Sequence, residues 1–105
     1  MKKRIELWEI LVPTHSNDGT EISVEYHQKW DEYVKNLAGG LTILKKSRGI
    51  WVSESGTEFR ENMIPVRVAC TRSQIKEIIV FTAIHYAQKA VMYHLVSQEV
   101  HIYKP

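Results

Sequence analysis

Apolar and polar positions alternate at the start of this chain. Ile5, Leu7 and then Ile10-Leu11-Val12 predict a first strand, stopped by Pro13. Glu6, Trp8 and Glu9 share the segment and leave its register open. Residues 14–20 predict a loop, because Ser16-Asn17-Asp18-Gly19 are turn formers. The period then changes from two to about 3.6. His27, Trp30, Tyr33, Val34 and Leu37 fall on one helical stripe, with Ser23 as N-cap and Glu25 in the first turn. Gly39-Gly40 ends this helix, since glycine accepts the left-handed conformation of a helix terminus.

Residues 41–44 and 50–52 predict two short strands, with Ser47-Arg48-Gly49 as a hairpin turn between them. Residues 53–56 predict a second turn, and residues 59–70 a long strand. In that strand Ile64, Val66 and Val68 alternate with Pro65, Arg67 and Ala69. Pro65 has no N–H for a ladder, so the strand is expected to be bulged or at an edge there. Thr71 and Gln74 match a capping box. Ile75, Ile78, Ile79, Thr82, Ala83 and Tyr86 then form the buried stripe of a second helix. Residues 90–95 predict a last strand, for which Val100-His101-Ile102-Tyr103 offers a continuation.

The order strand, helix, strands, helix, strand predicts an α+β fold. Its simplest form is a ferredoxin-like sandwich, with two helices on one face of an antiparallel sheet. No linker, repeat or low-complexity segment divides residues 1–105, which read as a single domain. The helix-free face and the open sheet edges are left for a partner subunit, so a homotrimer or homodimer with sites between subunits is expected.

Composition narrows the function classes. With 44% hydrophobic and 25% charged residues the chain is an ordinary globular protein. A net charge of +2 is too small for a nucleic-acid partner, and Lys45, Lys46 and Arg48 read as a solvated turn. No apolar run reaches the length of a membrane span. Met1-Lys2-Lys3-Arg4 is basic, but Glu6 and Glu9 interrupt the apolar run after it, unlike a signal peptide; a cytoplasmic location is expected. Cys70 is the single cysteine and reads as a buried structural thiol, with no internal disulfide. His15, His27, His85, His94 and His101 show no metal-ligand spacing, so no metal is expected. No nucleophile elbow is present, and Ser53-Glu54-Ser55-Gly56 is a poor anion cradle.

The chemistry concentrates in Gly49-Ile50-Trp51-Val52 and Gly56-Thr57-Glu58-Phe59-Arg60-Glu61-Asn62. Arg60-Glu61 is a charged pair at the mouth of an otherwise apolar strand, beside Trp51 and Phe59. An aromatic face next to a carboxylate suits a cationic organic ligand, such as a sulfonium or ammonium compound. The competing readings are an exposed ion pair of little energetic worth and plain sheet aromatics. Trp30 reads as core, while Trp8 and Trp51 read as half exposed.

Three segments resemble the phage-encoded S-adenosylmethionine lyases, formerly described as hydrolases. They are Gly56-Thr57-Glu58-Phe59-Arg60-Glu61, then Val66-Arg67-Val68-Ala69-Cys70 with the helix from Thr71, and Val91-Met92-Tyr93. The opening strand with its Ser-Asn-rich loop is also similar. The resemblance implies a ferredoxin-like trimer that splits S-adenosylmethionine between subunits into methylthioadenosine and homoserine lactone. It implies attack by the substrate's own carboxylate, with no cofactor. Glu61 matches the family's glutamate, and Trp51 or Phe59 stands roughly where the family has a tyrosine. Arg60 would stabilise the site or pair across the interface. Gly49-Ile50-Trp51, Gly56 to Glu61 and Ile75 to Ile78 also resemble a family of small domains of unknown function, which implies no activity. Two alternatives therefore stand beside the lyase. One is a non-enzymatic small-ligand-binding or regulatory module using the same cleft. The other is a structural oligomer with Arg60-Glu61 as an interface ion pair.

Overall fold

Burial along β1 (Glu6–Pro13) alternates strictly, with Glu6, Trp8, Ile10 and Val12 buried and their neighbours half-buried. This is the period of a strand with one face on a core. The computed structural model describes residues 4–105; Met1, Lys2 and Lys3, where most of the basic N-terminal stretch falls, lie outside the described residues. Six elements come after β1: α1 (Val24–Ala38), β2 (Thr42–Ile43), β3 (Ser47–Val52), β4 (Glu58–Cys70), α2 (Arg72–His85) and β5 (Tyr93–Ser97).

The sheet order is β2-β4-β1-β5, all antiparallel, with β3 also on β4. With β2 and β3 as two pieces of one broken strand, this is the ferredoxin-like order the element sequence predicts. The core lies between the sheet and both helices. Ile10, Val12, Val66, Val68 and Cys70 face Trp30, Val34, Ile75 and Ile78 across it.

Both helices start where their caps predict. Ser23 accepts from Tyr26 N–H, and Gly39 closes α1 at φ 91°. Thr71 and Gln74 form both halves of the capping box. A fully buried polar contact joins the helices. Trp30 Nε1–H donates to Thr82 Oγ1 at 2.9 Å, and the Thr82 hydroxyl donates to Ile78 O at 2.6 Å.

Three expectations are corrected. Residues 47–49 are strand, not turn: β2 and β3 do not pair with each other, and both lie along β4. The long β4 offers ladder partners that outweigh the local turn preference of Ser47 and Gly49. The break between β2 and β3 falls opposite Pro65. Leu44 N–H donates to Pro65 O at 2.8 Å. A strand residue's N and O point to the same side, so the missing N–H of Pro65 faces the break, where nothing needs it.

Trp8 is buried at 9% exposure rather than half exposed. Its even-numbered register places it on the core side, with Tyr93 5.9 Å away and the Arg72 guanidinium 5.6 Å from its ring. Arg72 also holds the buried Glu6 carboxylate, at 2.9 and 3.3 Å. The last strand starts at Tyr93 rather than residue 90 and ends at Ser97, and residues 100–103 do not extend it. Ser97 Oγ bonds both the N–H and the carbonyl of Glu99, a turn that stops the ladder.

Thr82→Val keeps the side-chain shape but leaves the buried Trp30 N–H without an acceptor. A loss of about 2 kcal/mol is expected, read as a lower midpoint in denaturant unfolding at unchanged slope.

Candidate functional site

β3 and β4 run past the core as a two-stranded arm, and the molecule is elongated, at 49 × 32 × 24 Å. The arm turns at residues 53–57, where Gly56 N–H donates to Ser53 O and Ser53 N–H to Thr57 O. Gly56 sits at φ 86°, in the left-handed region. Ile50, Trp51, Val52 and Phe59 are all exposed along the arm.

Register decides which side chains meet. Trp51 lies opposite Phe59 and Gly49 opposite Glu61. Paired residues share a face and neighbours alternate. Trp51, Phe59 and Glu61 therefore occupy one face, and Ile50, Glu58 and Arg60 the other. The Trp51 and Phe59 rings stack at 4.3 Å and 14°. Arg60 Nε pairs with Glu58 Oε2 at 3.1 Å. The expected Arg60-Glu61 pair is thus not formed, because adjacent strand residues point apart. Among the described residues Glu61 makes no salt bridge. Gly49, opposite it, leaves room that the Met63 thioether methyl enters; a Cβ there would lie 2.6 Å from Met63 Cε.

A cavity of about 970 Å³ opens where the arm leaves the sheet. Trp51, Arg60 and Glu61 line it, and Phe59 backs Trp51 from outside. Leu11, Met63, Val91 and Met92 supply an apolar wall, and Thr14, His15, Ser16 and Asn17 a polar one. The polar wall is well fixed. Ile22 N–H donates to Thr14 O, Ser16 N–H to Thr20 O, and the Asn17 amide to Ala87 O. The Ser16 hydroxyl and the Thr20 N–H hold the Asp18 carboxyl down to about 2.

His15 was not singled out by the sequence. Thr14 Oγ1 lies 2.7 Å from His15 Nδ1 and 3.2 Å from Asn62 O. The contact with Asn62 joins residues 48 positions apart, and no local pattern announces it.

A second cavity of about 340 Å³ lies between α1 and the β2–β3 break, lined by Val12, Trp30, Ile64 and Val66 with His27 and Asp31. His27 Nδ1 is 2.7 Å from the Tyr86 hydroxyl. Burial lowers the His27 pKa, raises that of Asp31 and pushes the Tyr86 phenol up. Burial, then the Glu6 charge, pushes the Cys70 thiol up to about 11, which fits an inert thiol and not a nucleophile. Among the described residues no group of three His, Cys, Asp or Glu could hold a metal, and no helix is long and apolar enough to cross a membrane.

No family model matches the chain, and no curated protein does. Solved structures do match. A phage SAM lyase in complex with S-methyl-5'-thioadenosine superposes with a TM-score of 0.67 at 13% identity, over 93% of this chain and 84% of that one. CutA1 from Oryza sativa gives 0.71 at 9% identity, over 95% and 84%. The divalent cation tolerance protein CutA1 from Thermus thermophilus gives 0.66 at 14% identity, over 88% and 82%. At these identities the likeness establishes a shared ferredoxin-like fold.

The His27 shift fixes a pH dependence. Its folded pKa lies below the ordinary 6.5, so below that pH the unfolded chain binds more protons and stability falls as pH falls. His27→Gln is expected to flatten this fall, checked by denaturant midpoints of both proteins across a pH series.

Proposed function

We propose that this chain binds S-adenosylmethionine in the arm cavity of a homo-oligomer and cleaves it as a lyase, giving methylthioadenosine and homoserine lactone. The carrying observation is the unpaired Glu61 carboxylate on the same face as the Trp51 ring, at the edge of a cavity large enough for a nucleoside ligand. A ring face beside a carboxylate attracts an organic cation.

The reaction needs no external nucleophile and no cofactor. A substrate carboxylate oxygen attacks the γ-carbon, the bond from that carbon to sulfur breaks, and its electron pair stays on the sulfur. Atoms and charge balance without a proton. Glu61 orients the substrate by holding its ammonium group, whose charge the reaction leaves unchanged. Trp51, backed by Phe59, faces the sulfonium, and Arg60 holds the arm or pairs across the interface. Geometry of this kind is worth up to roughly 7–11 kcal/mol. The carboxylate and sulfonium charges both vanish in the step, so the apolar wall of Leu11, Val91 and Met92 favours it by excluding water.

The arm supports an oligomer, a trimer or dimer. A two-stranded ribbon is marginal alone, and this one exposes Ile50, Trp51, Val52 and Phe59. A second copy would cover them and close the cavity. A cytoplasmic location fits the free Cys70.

A non-enzymatic binding module of the same fold is the second reading. The observation favouring it is the Trp51–Phe59 stack. The stack uses one face of each ring and builds an apolar rim that binding alone would explain.

Purified protein incubated with S-adenosylmethionine, with products read by chromatography and mass spectrometry, separates these. Methylthioadenosine and homoserine lactone are expected above the spontaneous rate. Glu61→Gln is expected to lower turnover on the order of 100-fold, with the thermal midpoint nearly unchanged because the residue is exposed. A midpoint raised by ligand with no product identifies a binding module. Dissociation of the Glu61→Gln variant identifies an interface role instead.

A further inference from the structure

The Thr14 hydroxyl is buried and has one proton but two polar neighbours. Asn62 O is a carbonyl and only accepts. With the hydroxyl proton directed at Asn62 O, the 2.7 Å contact with His15 is Nδ1–H donating to Thr14 Oγ1. A neutral imidazole carries one N–H, so with Nδ1 committed the lone pair lies on Nε2. Among the described residues nothing hydrogen-bonds His15 Nε2. The ring is also held through its backbone. His15 bridges to Glu21, and Ile22 N–H donates to Thr14 O at 2.9 Å. This fixed ring lines the same cavity as Trp51 and Glu61.

We propose that His15 Nε2 accepts a hydrogen bond from an N–H group of the bound ligand, and that Thr14 sets the ring in the form that can do so. The inference rests on the proposed function for the class of ligand, and adds a requirement to it. The Trp51 ring attracts positive charge but does not distinguish an N–H cation from a fully alkylated one. A lone pair at Nε2 does, because it needs a proton to accept. An adenosyl amino acid offers two such groups, the α-ammonium and the adenine amine.

Calorimetric titration of the intact protein in mildly alkaline buffer tests this with two stable probes. S-adenosylhomocysteine carries both groups, and methylthioadenosine carries only the adenine amine. His15→Asn keeps an amide N–H near the Nδ1 position, and so the bond to Thr14, but removes the Nε2 acceptor. His15→Gln reaches the Nε2 position with an amide oxygen and gives up Nδ1. His15→Asn is expected to weaken binding on the order of 10-fold, and His15→Gln distinctly less. Weakening for both probes assigns the adenine amine; weakening for S-adenosylhomocysteine alone assigns the ammonium. A His15→Asn variant that binds both probes like the unaltered protein, or a His15→Gln variant that is the weaker of the two, overturns the inference and leaves His15 a purely structural role. Unaltered protein that binds neither probe overturns the proposed function, and this inference with it.

Discussion

One strand is longer than the core it serves. β4 has thirteen residues. Its second half is central, with β1 on one side and β2 on the other, and contributes Val66, Val68 and Cys70 to the core. Its first half pairs only with β3 beyond Met63. A single backbone therefore runs from a region paired at both edges and packed on a core to a region paired at one edge only. The arm takes its direction from the core end of β4, because a two-stranded ribbon has little stability of its own. Pro65 stands near the junction, and the break between β2 and β3 absorbs its missing donor. The cavity opens at the same junction, so its geometry is inherited from the sheet, while its outer wall is left for another surface.

The charges divide along the same line. Close to β1 the buried and half-buried carboxylates have partners. Arg72 holds Glu6, and on the helix-free face Glu9 lies 3.1 Å from Arg67 and 3.3 Å from His94. A buried carboxylate without a partner is strongly destabilising, so this is required. Glu61 is under no such requirement while the arm is exposed, since water solvates it. Covering the arm with a second copy would change that. The desolvated carboxylate would then demand a cation, either from a ligand or from the other subunit. In the proposed oligomer, apolar exposure beside an unpaired acid would couple assembly to the binding of positive charge.

Much of the fold was legible because it is locally encoded. Ser23, Gly39, Thr71 and Gln74 mark helix ends through contacts within one turn, and Trp30 and Val34 mark the buried face by spacing alone. The misread segments are those decided by distant partners. Ser47 to Gly49 has turn chemistry, yet extends because β4 supplies a ladder more than ten residues away in sequence. Trp8 sits between two glutamates, and only the pairing of Glu6 with Arg72 shows why its side of the strand can be buried. The site was half legible. Trp51, Arg60 and Glu61 reach one cavity, but the pairing of Arg60 with Glu58 follows from strand alternation. Thr14 and His15 enter the site through contacts distant in sequence, such as that of Thr14 with the carbonyl of Asn62.

The solved structures that share this fold include a SAM lyase and divalent cation tolerance proteins, so the fold does not choose the chemistry. The residues proposed to choose it here lie outside the helix-packed core, on the arm and on the 14–20 loop. Changes there leave Ile10, Val68, Trp30 and Ile78 in place. The loop is nonetheless pinned by its own turn bonds, by Asn17 to Ala87 and by Thr14 to Asn62. Such fixation is more than a solvent loop needs. It holds a polar wall at a set distance from the arm, which is what recognition of a ligand between the two surfaces requires.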